Sequence, residues 1–578
     1  MLRADRTHPF GFIRVYVTRW DALALLVVLG LVALLAAASR GLLAPLAQLD
    51  ATPLSLTPAH LPEYAARTTL RMFTALGLSL TFTLTYATWA AKSPRAGRVL
   101  VPLLDILQSV PILGFISISV VFFMSLVPGR VLGAEFAAIF AIFTSQAWNM
   151  AFSFYQSLRT VPAELAEAAA SFHLTPWMRF WQLEVPFALP ALCWNMMMSM
   201  SGGWFFVVAS ESISVGHTTV ALPGIGSYIA LAIQQRNLTA IGWAIATMAL
   251  VILIYDQLLF RPLIAWVDRF RVEQEPGAEP PPSWALTMYR RSWLIKALTV
   301  LFYAALRWTS WASPSRGVAR PVARRVGDAR SRLWAALWLA AVLVVGALAA
   351  RKLGQMLWLH TSLAELREVG FLGLLTMARV TVLIALASLV WVPVGVWIGL
   401  RPRVAQFAQP VAQFLAAFPA NLLFPLVVYA IIAWKLNPDI WLSPLMILGT
   451  QWYILFNVIA GAAAMPAELR RAAQNLHVGG WLWWRRVALP GVMPYFVTGA
   501  ITASGGSWNA AIVAELASWG GVQVQARGLG AYIATATAAG DYHRIVLGIA
   551  TMCLFVVAIN RALWRPLYYY AERHYRLN

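Results

Sequence analysis

The feature that most constrains this chain is an internal repeat that runs through most of its 578 residues. The segment 162–169 reads PAELAEAA, and it returns as PAELRRAA at 466–473, at an offset of 304 residues. Offsets of 308 early in each half and 304 later align Thr68/Thr376, Arg71/Arg379, Pro111/Pro419, Glu211/Glu515, Gly224/Gly528 and Gly226/Gly530. The repeat predicts two copies of one fold related by a pseudo-twofold axis.

Each copy consists mostly of long apolar runs. The chain is 60% hydrophobic and 12% charged, whereas soluble domains carry roughly 25% charged residues. Runs of about 20 residues can cross a hydrocarbon core of about 30 Å. We predict twelve spans, at about 20–38, 69–91, 100–125, 133–155, 188–212, 240–260, 333–350, 371–399, 408–433, 441–462, 493–515 and 545–563. The predicted fold class is an all-α polytopic membrane protein.

The spans divide into two tandem six-span domains. We expect the first domain at 1–262, a linker at 263–332 and the second domain at 333–578. Because each domain has an even number of spans, both copies have the same orientation in the membrane. Within the linker, the apolar run 293–312 carries two basic residues, which favours an interfacial amphipathic helix over a thirteenth span.

The basic residues follow the alternation of the spans. The net charge is +21, and most of the basic residues outside the spans occur in loops at alternate span ends, as the positive-inside rule requires. This pattern predicts that both termini are cytoplasmic, with an uncleaved first span. It also disfavours nucleic acid as the partner of the basic residues.

The repeated polar segment lies between the fourth and fifth spans of each half. Pro162 and Pro466 suit a first helical turn. Glu164 and Glu468 in that turn complement the helix dipole. A short helix of this kind, lying parallel to the membrane, can fit a socket on a soluble partner.

A spaced signature recurs in both polar loops. It consists of Glu167, Ala168, Ala169 and Pro186 in the first copy and of Arg471, Ala472, Ala473 and Pro490 in the second. The pattern resembles the inner-membrane permease subunits of ATP-binding-cassette (ABC) importers, whose signature is Glu-Ala-Ala, three residues, Gly, nine residues and Ile-x-Leu-Pro. The sequence departs from it at Arg471, which replaces the family glutamate, and at His173 and His477, which replace the family glycine. The segments 479–480 and 175–176 could form the turn instead.

The resemblance implies a type I importer-like permease whose two loops form coupling helices. Such helices dock on two copies of a cytoplasmic ATPase, and an extracytoplasmic binding protein delivers the solute. The chain has no Gly-x-x-x-x-Gly-Lys-Ser/Thr loop, so ATP and Mg²⁺ would belong to the partner and this chain would not be an enzyme. The expected location is the bacterial inner membrane.

A second resemblance concerns the solute. The segments 224–229, 528–533 and 418–426 look like those of permeases of the nitrate, sulfonate, taurine and bicarbonate group, in its duplicated single-chain form. This implies import of a small anion. Duplicated permeases for ferric iron or thiamine are the alternative within the ABC class. The alternative outside it is a twelve-span secondary transporter driven by an ion gradient, which does not explain the repeated loop.

Charged residues inside spans are functional candidates, because a charge at the bilayer centre costs about 2.5–3.5 kcal/mol on insertion scales. Arg71 and Glu211 lie near the predicted outer ends of their spans, and so do Arg379 and Glu515. We expect each arginine to pair with the glutamate of its own half. The alternatives are that the arginines snorkel to the interface or that these charges contact the solute.

The translocation path is expected between the halves. Its candidate polar residues are Gln146, Asn149, Asn195, Ser201, Gln451, Asn457, Ser504 and Asn509. The eight histidines do not show metal-ligand spacing, and neither a catalytic site nor a metal site is predicted.

Overall fold

The computed structural model describes residues 54–270 except 110, 216 and 217, residues 284–292, residues 361–575, and scattered residues within 21–53 and 337–355. The predicted spans at about 20–38 and 333–350 lie outside these continuous ranges. So do most of the predicted linker and its proposed interfacial helix.

The first half is a helical bundle. Its helices are α1 (Leu61–Phe82), α2 (Thr88–Lys92), α3 (Pro94–Ser109), α4 (Ile112–Leu126), α5 (Val131–Arg159), α6 (Ala163–Ser171), α7 (Pro176–Arg179), α8 (Val185–Glu211), α9 (Ile225–Gln234), α10 (Leu238–Tyr255), α11 (Arg261–Val267) and α12 (Trp284–Arg291). Wide π-helical turns join three helix pairs, at Thr83–Ala87, Phe180–Glu184 and Asp256–Phe260. Short 3-10 turns lie at Pro58–His60 and Asp268–Phe270.

The second half follows the same order with two differences: one helix stands in place of α1 and α2, and two shorter helices stand in place of α5. Its helices are α13 (Leu363–Gly399), α14 (Pro402–Ala417), α15 (Phe424–Ala433), α16 (Pro438–Trp441), α17 (Gln451–Ala463), α18 (Ala467–Asn475), α19 (Gly480–Trp483), α20 (Leu489–Ala514), α21 (Leu529–Ala539), α22 (Tyr542–Ile559) and α23 (Arg565–Tyr575). The π-helical turns recur at Trp484–Ala488 and Asn560–Trp564, and 3-10 turns lie at Ala420–Leu423 and Ser443–Met446.

The long helices fit a membrane. Within the described residues, six helical stretches are long and apolar enough to cross it, and two bent helix pairs raise the number to eight if each pair is one span. α8 has 27 residues, which corresponds to about 40 Å at 1.5 Å per residue. α6 lies just before α8 in the chain and the first β-hairpin just after it, so they occupy opposite ends of the bundle. We call these the coupling end and the hairpin end.

Three predicted spans are not single straight helices. The run 408–433 divides into two helices bent by 73°, and the run 441–462 is bent by 45°. The run 100–125 divides between α3 and α4. Pro111, Pro419 and Pro444 lie at or near the breaks, and proline removes a backbone donor and disfavours helix at the residue before it.

Two small antiparallel hairpins, which the sequence analysis missed, follow α8 in the first half and α20 in the second. β1 (Ser212–Val215) pairs with β2 (Thr218–Ala221), and Ser212 lies opposite Ala221. β3 (Leu516–Trp519) pairs with β4 (Val522–Gln525), and Leu516 lies opposite Gln525. The predicted all-α class is confirmed for the bundle. The two hairpins are small β elements that the prediction did not include.

The two halves pack against each other through equivalent positions. The backbone N–H of Ile112 donates to Asn509 Oδ1 at 2.6 Å. In the other direction, Asn421 Nδ2 donates to the carbonyl of Phe205 at 3.0 Å. Positions 205 and 509 are aligned by the repeat, so both bonds join the long helix of one half to the broken helix of the other.

The second hairpin also reaches across to the first half. Gly520 donates its N–H to the carbonyl of Ile233 at 3.0 Å and accepts from Arg236 Nη2 at 2.8 Å. The hairpin end therefore contributes to the contact between the halves.

Candidate coupling surface and charge clusters

The repeated polar segments form the two nine-residue helices α6 and α18 at the coupling end. Pro162 and Pro466 are the residues immediately before them, one position earlier than predicted. Glu164 and Glu468 lie in the first turns, where a carboxylate interacts favourably with the helix dipole. The local sequence thus accounts for where both helices begin.

Each of the two helices presents one face to the bundle and the other to solvent. Ala169 and its repeat partner Ala473 are buried. The other residues of the predicted signature in these helices, Ala168, Ala472, Glu167 and Arg471, are exposed.

A large apolar side chain projects from the tip of each loop. Phe172 is 79% exposed and its repeat partner Leu476 is 75% exposed. Exposed apolar groups at the same place in both halves, next to charged helices, are typical of a contact surface for another protein.

The histidines that stand where the family signature has glycine adopt a left-handed backbone conformation. His173 has φ 53° and His477 has φ 51°, in the left-handed region. Leu174 N–H donates to the carbonyl of Ala169 at 3.2 Å, and Val478 N–H donates to that of Ala473 at 2.9 Å. These bonds complete Schellman-type helix ends. The turn therefore lies at the histidines, although Gly480 also has a positive φ of 56°.

The chain returns to the bundle through a π-helical turn in both halves. Pro186 and Pro490 occupy the first turns of α8 and α20, where a missing backbone N–H costs little. Both prolines thus lie where the π-helical turn passes into the next long α-helix.

The charge cluster of the first half lies at the hairpin end. Arg71 Nε and Nη2 each donate to an oxygen of Glu135 at 2.6 Å. Arg71 Nη1 donates to Glu211 Oε1 at 2.7 Å. The expected Arg71–Glu211 pair is confirmed. Because the Arg71 side chain is 3% exposed, it does not snorkel to the interface.

Further hydrogen bonds complete this cluster. Thr68 Oγ1 donates to Glu211 Oε1 at 2.6 Å, and the Gly226 N–H donates to Glu211 Oε2 at 2.7 Å. Arg71 Nη1 also donates to the Pro223 carbonyl at 3.0 Å. The cluster thereby joins α1, α5, α8 and the beginning of α9, and buried charges require this kind of complete pairing.

The second half has the same cluster in a looser form. Arg379 Nη1 lies 3.1 Å from Glu515 Oε1, which confirms the second expected pair, and Nη2 lies 2.8 Å from Asp439 Oδ1. Thr376 Oγ1 and the Gly530 N–H both donate to Glu515, at 2.8 Å each.

Two aligned glycines allow the carboxylates to fit. A Cβ on Gly224 would lie 2.3 Å from the Glu211 carboxyl carbon, and one on Gly528 would lie 2.1 Å from Glu515 Oε2. Such distances are far below van der Waals contact. The glycine-containing segments 224–229 and 528–533 are therefore parts of the charge clusters.

The sequence analysis missed Glu135 and Asp439. The offset of 304 that aligns Glu211 with Glu515 also aligns these two residues. That alignment was the signal that could have identified them as members of the clusters.

The predicted path residues lie in different parts of the bundle. Ser201 donates to the carbonyl of Ala416 in the other half, and Asn509 accepts from Ile112 as described. Gln146 is buried inside the first half, where it accepts from Ser79 Oγ at 3.3 Å. Ser504 is buried. The remaining four residues form hydrogen bonds within their own halves: Asn149 with Gln108, Asn195 with Ser153, Gln451 with Trp391, and Asn457 with the Tyr453 carbonyl.

A small cavity lies between the halves beside Ser201, Tyr255 and Gln413. Its volume of about 10 Å³ is near the minimum that holds one water molecule. The packing at this point is therefore closed to a solute.

Comparison with known proteins agrees with the repeat. Residues 79–269 and 391–576 each match the family described as binding-protein-dependent transport system inner membrane component. These two segments make up more than half of the chain.

Three curated proteins illustrate the similarity. The bicarbonate transport system permease protein CmpB of Synechococcus elongatus is 28% identical over 141 residues, which are 24% of this chain and 49% of that protein. The nitrate import permease protein NrtB of Leptolyngbya laminosa is 26% identical over 185 residues, 32% of this chain and 63% of that protein. The glycine betaine/carnitine transport permease protein GbuB of Listeria monocytogenes is 29% identical over 173 residues, 29% of this chain and 55% of that protein. The chain spans about half the length of the first relative and less than two thirds of the other two.

Proposed function

Because the chain belongs to the family of binding-protein-dependent transport system inner membrane components, we propose that its two halves together form the solute pathway of one ABC importer. The chain is a multi-pass inner-membrane transport subunit and not an enzyme in itself. ATP hydrolysis is assigned to separate ATPase chains, and solute delivery to an extracytoplasmic binding protein.

The observation that carries this proposal is the repeated, exposed tip of the coupling loops. α6 and α18 each place one apolar side chain, Phe172 or Leu476, in solvent beside a charged helix. Two equivalent tips on one chain fit two ATPase subunits, one for each half. Their closure on ATP would favour one state of the halves, which is the requirement for driven transport.

The orientation follows from the same assignment. If the coupling end faces the ATPase, it is cytoplasmic. The charge pattern of the sequence supports placing both chain termini on that side as well. The hairpin end then faces the binding protein.

We propose a small anion of the nitrate or sulfonate type as the solute. Two of the relatives above are named for bicarbonate and nitrate, and one for glycine betaine and carnitine. Arg71 and Arg379 are each bonded to two carboxylates, so they are not available as anion ligands.

The first test is co-purification of ATPase activity with the tagged chain from its native host. The variant Phe172→Asp/Leu476→Asp changes two exposed side chains and should abolish the bound activity. Gln523→Asp, at an exposed position on β4 at the hairpin end, is the control and should retain it. Equal loss in the control, or no bound ATPase in the unchanged chain, would contradict the proposal.

The second test concerns energy source and solute. Proteoliposomes containing the complex and its binding protein should take up labelled nitrate or sulfonate only with internal ATP. Uptake driven by an ion gradient without ATP would identify a secondary transporter. ATP-driven uptake of ferric iron, thiamine or betaine alone would refute the proposal that the solute is a small anion.

A further inference from the structure

An open groove of about 670 Å³ lies on the first half, near the coupling end. One wall is formed by the end of α1, the following π-helical turn and α2, and the other by α7 and the turn after it. The residues that line it are Thr81, Leu84, Thr85, Thr88, Trp89, Lys92, Pro176, Trp177, Phe180 and Trp181. We propose that this groove binds an anionic phospholipid from the leaflet at the coupling end.

The dimensions of the groove match one leaflet. Its wall from Thr81 to Lys92 extends about 16 Å along the helix axis, close to half of a hydrocarbon core of about 30 Å. Trp89 is 60% exposed, and Trp177 and Trp181 stand edge to face with centroids 5.8 Å apart. Tryptophan is enriched at the membrane interface, so these rings suit the boundary between acyl chain and headgroup.

The inner walls of the groove present mainly apolar groups, although two threonines line them. The hydroxyls of Thr81 and Thr85 both donate at 2.8 Å to carbonyls one turn earlier in their own helix. They therefore leave their methyl groups, with Leu84 and the aromatic rings, to contact an acyl chain.

The end of the groove carries positive charge. Lys92 Nζ lies 2.8 Å from Glu184 Oε2 and 5.0 Å from the centroid of Phe180, and Arg179 Nε lies 3.2 Å from Glu184 Oε1. Two cations thus share one buried carboxylate. Lys92 is 42% exposed, which leaves its ammonium accessible to an anionic headgroup.

Two buried donors point to a ligand independently of the charge. Among the described residues, neither the Thr88 hydroxyl nor the Trp181 indole N–H has a hydrogen-bond partner, although both residues line the groove. Unpaired buried donors are costly. Rotation of these two side chains toward the groove would let phosphate or glycerol oxygens of a headgroup beside Lys92 satisfy them.

The second half does not repeat these features. The repeat aligns Thr88 with Val396, Lys92 with Leu400, Trp181 with Arg485 and Glu184 with Ala488, whereas Trp89 is kept as Trp397. The proposal therefore applies to the first half alone, and Trp397 provides an internal control.

The test is photo-crosslinking of the full chain in phosphatidylcholine nanodiscs. Diazirine-bearing phosphatidylglycerol or phosphatidylcholine is added as the probe, and labelled peptides are identified by mass spectrometry. Peptides covering 81–92 and 176–181 should be labelled about fivefold more by phosphatidylglycerol, the factor expected from one basic residue at an anionic headgroup.

Two variants separate the contributions. Thr88→Val/Trp181→Phe should lower labelling of these peptides by both lipids, because both carry phosphate and glycerol oxygens, and Lys92→Gln should abolish the preference for phosphatidylglycerol. Trp397→Ala should change neither. Equal labelling by both lipids, labelling that the variants leave unchanged, or crosslinks from the groove to another segment of this chain would overturn the proposal.

Discussion

The two charge clusters are built from aligned residues but differ in their surroundings. In the first half, Arg71 is 3% exposed and binds Glu135 through two bonds of 2.6 Å. In the second half, Arg379 is 14% exposed and binds Asp439, which is 42% exposed, through one contact of 2.8 Å. Duplication has preserved the charges while the packing around them has diverged.

The cause lies in the helix that supplies the second carboxylate. Glu135 belongs to α5, a single helix of 29 residues that packs along α1 and α8. Asp439 belongs to α16, which is separated from α17 by a bend of 45°. Its side chain is one methylene shorter, and it also accepts from the Arg527 N–H at 2.7 Å. Breaking the ion pairs of Arg379 should therefore require less free energy than breaking those of Arg71.

The largest expected effect comes from removing the arginines. Arg71→Ala should lower the free energy of unfolding by about 3–5 kcal/mol, because it leaves two buried carboxylates unpaired. Arg379→Ala should cost about 1–3 kcal/mol, since only Glu515 is buried and water partly solvates its other partner, Asp439. Thermal unfolding of both purified variants measures the difference, and equal losses would contradict the comparison.

A rescue experiment checks that the loss is electrostatic. Arg71→Ala combined with Glu135→Gln and Glu211→Gln should recover part of the lost stability. A purely additive loss would show that the arginine acts through packing alone.

Replacing either of the two aligned glycines, Gly224 or Gly528, by alanine should reduce stability by the same amount. Gly224→Ala and Gly528→Ala each place a methyl group against a carboxylate, and overpacking of this kind costs about 1–3 kcal/mol. Unfolding temperatures of the two variants should agree, in contrast with the arginine pair. A large difference between them would mean that one cluster has room to rearrange.

The coupling helices also differ in charge. α6 carries only Glu164 and Glu167, whereas α18 carries Glu468, Arg470 and Arg471. Glu167→Arg should reduce transport-coupled ATPase activity about fivefold, the effect of about 1 kcal/mol at a contact. Arg471→Glu should reduce it less, because Arg470 remains beside it. Equal reductions would show that the two docking contacts are equivalent.

The smallest effect is expected at the helix ends. His173→Gly should raise stability by about 0.5 kcal/mol, since glycine adopts a positive φ without strain but has a more flexible unfolded state. His173→Val should destabilise, because β-branched residues are disfavoured there. His477→Gly and His477→Val should have the same effects as the corresponding substitutions at His173. Thermal unfolding of all four variants measures these effects.

The sequence predicted the architecture and the arginine–glutamate pairs because the repeat makes both visible. It did not predict the breaks near Pro419 and Pro444, since hydropathy continues across a bent helix. The hairpins were missed because four-residue strands directly after a span look like its continuation. The sequence did not decide where the turns after α6 and α18 lie, because glycine is the residue expected at positive φ. The Schellman bonds stabilise His173 and His477 in that conformation instead.

The most direct test of the account is crosslinking from the two loop tips. A photoreactive amino acid at position 172 or 476, in the full chain co-expressed with the host ATPase, should crosslink to that ATPase from either position. A chain carrying it at both positions should yield a product with two ATPase subunits. Absence of ATPase crosslinks from both tips, with intact transport, would contradict the assignment of α6 and α18 as coupling helices.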